Sequence, residues 1–154
     1  MVDSVTRRSL EYVAACMEPD KLRQIAVNAQ RQGNEEVREA ARRRLYEVLP
    51  AEEPGTLEYD VWQSIHALED TLAQERGKTT RLSRTRQKIG RDKEAQTVAD
   101  LILKRASDGF RMLVDRNLPE LTFEAVALKH PERFDNQVLA AARARLQEIG
   151  YEPQ

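Results

Sequence analysis

Apolar residues along this 154-residue chain recur every three to four positions, the period of a helix face. No run bounded by turn residues alternates with the period of two that a strand requires. Leu10, Val13, Ala14 and Met17 fall on one face of a helix that Ser4 or Thr6 opens. Pro19 suits the first position of a second helix, whose stripe is Leu22, Ile25, Ala26 and Ala29. Gly33 fits the left-handed residue after it, and Asn34 with Glu35 and Glu36 makes a cap with acids in the first turn. The third helix stops before Pro50.

Beyond a short acidic connection containing Pro54 and Gly55, Thr56 caps a long helix reaching about Glu75. Its seam of Leu57, Val61, Ile65, Leu68 and Leu72, broadened by Trp62, marks a central core helix. The same spacing approaches a heptad, so a homodimer through the Leu57–Leu72 helix is the self-association it would allow. Gly77 ends that helix, and a short one is expected from Arg81 to Ile89, stopped by Gly90. Asp92 then caps a helix from Lys93 to about Ala106, with Val98, Leu101, Ile102 and Ala106 inward. Ser107 and Asp108 open the next, with Phe110, Leu113 and Val114 inward. Another runs from Leu118–Pro119 to about Lys129 and is broken by Pro131. In the last, Asp135 is the cap, and Phe134 and Leu139 stand at the positions of a hydrophobic staple. The expectation is an all-α bundle of about eight helices, with no sheet.

Length places the chain near one domain, 1–154, with sub-parts at 1–50, 56–92 and 93–150. A chain of this size buries roughly 70% of its unfolded surface, enough for one ordinary core. The low Gly and Pro counts and the wealth of Ala, Leu, Glu and Arg agree with helices. The segments Val37–Glu47 and Val138–Glu148 match at seven of eleven positions. That match reads as shared composition; physically, Ala40–Ala41 and Ala141–Ala142 offer small faces for close helix packing.

Chemistry is sparse. Cys16, the one cysteine, allows neither an internal disulfide nor a Cys-cluster metal site, and with no His nearby in sequence it reads as a buried, inert thiol. His66 shares a helix face with Glu69 and Asp70, but neither histidine has a glutamate three residues before it, so no complete ligand set forms. His130, before Pro131, stands at a helix end facing terminal carbonyls. Phosphate-loop, nucleophile-elbow and zinc-deaminase patterns are missing. Helix, turn and helix follow one another from Leu121 to Leu146, but the link through Pro131 is too long for a helix-turn-helix. Neither an enzyme nor a metal or other cofactor is expected. With no basic and apolar leader and no apolar run near the ~18 residues of a membrane span, the cytoplasm is the expected location and no membrane is a partner.

Charge changes the picture. Net charge is -1, yet residues 51–75 hold seven acids and no Lys or Arg. Residues 76–93 hold eight bases, Arg76, Lys78, Arg81, Arg84, Arg86, Lys88, Arg91 and Lys93, and one acid, Asp92. Either the basic segment folds back on the acidic helix, or it forms a surface for phosphates. On a helix, Arg81, Arg84, Lys88 and Arg91 would line up as one stripe while Leu82 and Ile89 dock it. Thr79, Thr80, Ser83 and Thr85 add hydroxyl donors, and no interleaved aromatic favours base stacking. The reading is a non-catalytic accessory or regulatory protein that binds nucleic acid, chiefly the backbone of duplex DNA, through those eight bases. The alternative is a helical interaction or self-assembly module whose acidic and basic faces take a protein partner.

Overall fold

The computed structural model describes residues 3–153. Among them are eight α-helices and no strand: α1 (Ser4–Ala15), α2 (Pro19–Arg31), α3 (Glu35–Val48), α4 (Leu57–Arg76), α5 (Ser83–Ile102), α6 (Asp108–Asp115), α7 (Phe123–Lys129) and α8 (Asn136–Glu148). Short 3₁₀ turns at Pro119–Leu121 and Pro131–Arg133 bracket α7. Among the described residues no helix is long and apolar enough to cross a membrane. The chain forms two compact units, Met1–Ala51 and Glu52–Gln154.

In the first unit α3 packs against both α1 and α2. Asp3, rather than Ser4 or Thr6, caps α1, accepting from the Thr6 N–H at 2.7 Å. The Asn34 side chain caps α3 by accepting from the Val37 N–H, and its amide donates to Thr6 Oγ1 at 3.0 Å. One residue thus ends the turn that left-handed Gly33 begins and ties α3 to α1. The inward face of α1 is Thr6 and Val13, with Cys16 buried just beyond, whereas Met17 is 67% exposed. Helix α1 stops two residues earlier than the pattern suggested, because Cys16 is already extended and the Pro19 start needs room for a turn.

In the second unit α4 packs against α5, α6 and α7. Leu57, Val61 and Ile65 of α4 cluster with Ile89, Val98 and Ile102 of α5, Val126 and Ala127 of α7, and Val138 and Ala142 of α8. The α4 seam is therefore spent on the core of its own unit, and a dimer through it would have to unpack that core. Leu68 is also buried, and only Leu72 is left partly open. The small faces have the expected use, since Ala41 and Ala142 are fully buried on helices packed against α2 and α7 respectively.

The basic segment departs most from expectation. Helix α5 begins at Ser83, passes through Gly90 without stopping, and breaks at Lys93, whose φ of 71° and ψ of 172° are non-helical. Gly90 is read as a stop because glycine weakens helices, but intrahelical hydrogen bonding carries the chain past it. The C-terminal half of α5 ends at Ile102 rather than near Ala106.

Candidate nucleic-acid interface

Glu69 organises the start of the basic segment. Gly77 adopts the left-handed conformation that ends α4, and the chain returns so that the Leu82 N–H donates to Glu69 Oε2 at 2.9 Å. Arg86 forks onto the same carboxylate, Nε to Oε2 and an Nη to Oε1, each at 2.7 Å. Its guanidinium carbon lies 5.0 Å from the centre of the Trp62 ring, and Trp62 Nε1 donates to Glu94 at 2.9 Å. Burial pushes the Glu69 carboxyl up, but the hydrogen bonds from Arg86 and Leu82 and the Arg86 charge outweigh it and hold the group below its ordinary value. The hydrogen bond to Glu69 likewise raises Arg86. Arg86 is thus a structural cation, part of the fold-back of base onto acid.

The acidic helix is largely neutralised inside its own unit. Asp60 is buried beneath His130, Glu58 meets Arg133 at 2.9 Å, and Glu75 meets Arg116 at 3.4 Å. A uniformly acidic face does not survive folding.

Arg76, Lys78, Arg81, Arg84, Arg91 and Lys93 are exposed and, among the described residues, have no ion-pair partner. Arg81 precedes α5 and so drops out of the helical stripe. Arg84, Lys88 and Arg91 remain on one face at intervals of four and three residues. Lys88 Nζ is held by Asp100 at 2.7 Å and Asp92 at 2.8 Å, hydrogen bonds that raise its pKa and lower that of Asp100. This bridge spans the Lys93 break. It brings the second half of α5 beside the first, so that Arg84, Lys88, Arg91 and Lys104 line one open hollow of about 370 Å³ with Thr85, Gln87 and Leu101. The sequence pattern does not place Lys104 here: it breaks the segment at Gly90 to Asp92, within three residues of the corner at Lys93, but does not show which residues that corner brings together. Of the eight bases, three meet in the hollow, one is locked on Glu69, and four lie exposed elsewhere on the segment.

The remaining polar candidates are structural. His130 Nε2 lies 2.6 Å from Asp60 Oδ2, both residues buried, and Lys129 Nζ approaches the same oxygen at 3.3 Å. The helix-end position holds, but the ring meets a carboxylate seventy residues away in sequence rather than the terminal carbonyls. His66 is half-buried, its ring tilted 44° to that of Trp62 at 6.2 Å between centres. No group of three or more His, Cys, Asp or Glu among the described residues could hold a metal ion. Cys16 is buried, its Sγ 3.7 Å from the Glu18 carbonyl oxygen.

Against this geometry, comparison with known protein families, with curated proteins and with solved structures finds no match for the chain.

Proposed function

We propose that the protein is a non-catalytic nucleic-acid-binding accessory or regulatory protein, directed at the phosphate backbone of duplex DNA. The observation that carries the reading is the convergence of Arg84, Lys88, Arg91 and Lys104 on one open hollow. Arg81 stands exposed and unpaired just before the helix that supplies three of them. Arginine forks and lysine ammonium groups grip phosphate oxygens irrespective of base, and release of condensed counterions drives the association even at a net charge near zero. The internal pairs of Arg86 and Lys88 fit this use, since they hold α5 in place and leave other cations to meet the ligand.

Fluorescence anisotropy of a short labelled duplex, titrated at several salt concentrations, tests it. Four phosphates contacted would give a log–log salt slope of about -3.6. The comparison protein carries Ala at Arg81, Arg84, Arg91 and Lys104 and keeps Arg86, whose loss would disturb the fold. Equal affinities, or no binding by the wild type at low salt, overturn the reading and move the weight to an acidic protein partner.

A further inference from the structure

We propose that the second unit holds a binding pocket for a small, neutral, mostly apolar molecule with one hydrogen-bonding group, of the chemical class of a monocyclic phenol. The cavity measures about 270 Å³, with Leu68 of α4, Leu82 and Leu101 about α5, Phe110 and Leu113 of α6, and Phe123 of α7 among its walls. An apolar cavity of ~150 Å³ already accepts benzene in another protein, so a substituted ring is within reach here.

Its polar lining is unequally committed. Thr122 Oγ1 donates to the Pro119 carbonyl at 2.8 Å and accepts from the Ala125 N–H at 3.1 Å, which is the cap of α7. Ser107 Oγ caps α6 by accepting from the Phe110 N–H at 3.1 Å. Glu124 is held by Arg145 at 2.5 Å. Among the buried hydroxyls of the lining Ser64 differs: its residue is 0% exposed, it lines the cavity, and its hydroxyl has no hydrogen-bond partner. A buried hydroxyl normally finds a partner, and in mid-helix the carbonyl four residues back is the ready one. Here that bond is not made, and the hydroxyl is left for a group entering the cavity.

Charge sets the rest of the specificity. The formally charged residues on the lining are Asp108 and Glu124, both acids and the latter paired with Arg145, so an anion finds no cation to meet it, and a cation would lose its hydration against leucine and phenylalanine. A neutral ring with one hydroxyl is the remaining fit. Gly109 lets α6 approach Leu68 on the cavity lining closely, because a Cβ there would stand 3.3 Å from both Leu68 methyl groups. The pocket belongs to the fold itself and does not rest on the nucleic-acid reading.

The test uses the full chain without nucleic acid and three probes: p-cresol, toluene, which lacks its hydroxyl, and the anion 4-methylbenzoate. Binding is followed by amide chemical shifts in NMR titrations at neutral pH. Wild type should show saturable shifts at residues lining the cavity, with p-cresol about tenfold tighter than toluene and no saturation with 4-methylbenzoate. Ser64→Ala should keep the fold and bring p-cresol and toluene to the same affinity. Leu101→Phe, which fills the cavity from a half-buried position, should abolish binding of both. No saturable shift up to probe solubility, a p-cresol preference that survives Ser64→Ala, or unchanged binding in Leu101→Phe each overturns the proposal.

Discussion

The Glu69 carboxylate accepts both forked donors of Arg86 at 2.7 Å and joins the start of α5 to the long α4. A charge pair with side chains only 11% and 26% exposed contributes more than a surface pair, because water screens it poorly. It also removes one arginine from the basic surface, so the two readings of the charge pattern, fold-back and phosphate surface, hold for different residues of one segment.

From that pair follows a pH dependence. The Glu69 carboxyl is depressed in the folded state. Its stabilisation is therefore fully present above the ordinary carboxylate range and is lost as pH falls through the depressed folded value. Glu69→Gln should cost about 2–3 kcal/mol at neutral pH, between the values for exposed and buried pairs. Urea denaturation from pH 7 down to pH 3 should show the gap between wild type and variant closing with acid. A gap that does not change with pH contradicts the assignment.

Glycine and strain are misplaced along α5 by three residues. Gly90 is helical with open space where a Cβ would stand, while Lys93 holds a backbone conformation that suits glycine. Gly90→Ala should stabilise by about 0.5–1 kcal/mol through a less flexible unfolded chain. Lys93→Gly should gain about 1 kcal/mol by relieving an unfavourable φ, less the entropy that glycine adds to the unfolded state. Thermal melts of the two single variants check both, and destabilisation by Lys93→Gly would falsify the corner at that residue.

The helices were legible because their ends carry local chemistry: Asn34, Thr56, Ser107 and Asp135 all accept from the backbone N–H three residues on, as their side chains suggest. The all-α class and the buried Leu57, Val61 and Ile65 followed from periodicity alone. The pairings did not. Asp60 with His130, Glu69 with Arg86, and Glu124 with Arg145 join residues far apart in sequence, and a charge pattern shows how many partners exist but not which ones meet. In the candidate interface, Arg84, Lys88 and Arg91 are legible as one helix face, and Gly90 and Asp92 mark a break close to the corner at Lys93, but the direction of that corner, which brings Lys104 alongside, depends on tertiary contacts.

His130 and Asp60 give a second check on the core of the second unit. His130→Ala leaves the buried Asp60 carboxylate with only the exposed Lys129 for a partner, a loss of about 2–3 kcal/mol. His130→Gln, which can still donate to Asp60, should recover part of that loss. Urea denaturation at neutral pH compares the three proteins, and an unchanged midpoint in His130→Ala would show that water replaces the ring.

Arg145 joins three elements through one guanidinium. One nitrogen meets Glu124 of α7 and another donates to the Lys104 carbonyl just past α5, both at 2.5 Å. Glu124 has its side chain only 6% exposed, so Arg145→Met strands a carboxylate in the interior and should cost about 3–5 kcal/mol. Glu124→Leu alone strands a less buried cation that still holds Lys104, so its cost should be smaller. The double variant removes both charges and should be more stable than the sum of the single losses by at least about 2 kcal/mol, because the stranded charge rather than the missing bond dominates each single change. Urea denaturation of all four proteins completes the cycle. Additive losses would mean that the two side chains act independently, and the ion pair could not then be what fixes the position of Lys104 at the edge of the basic hollow.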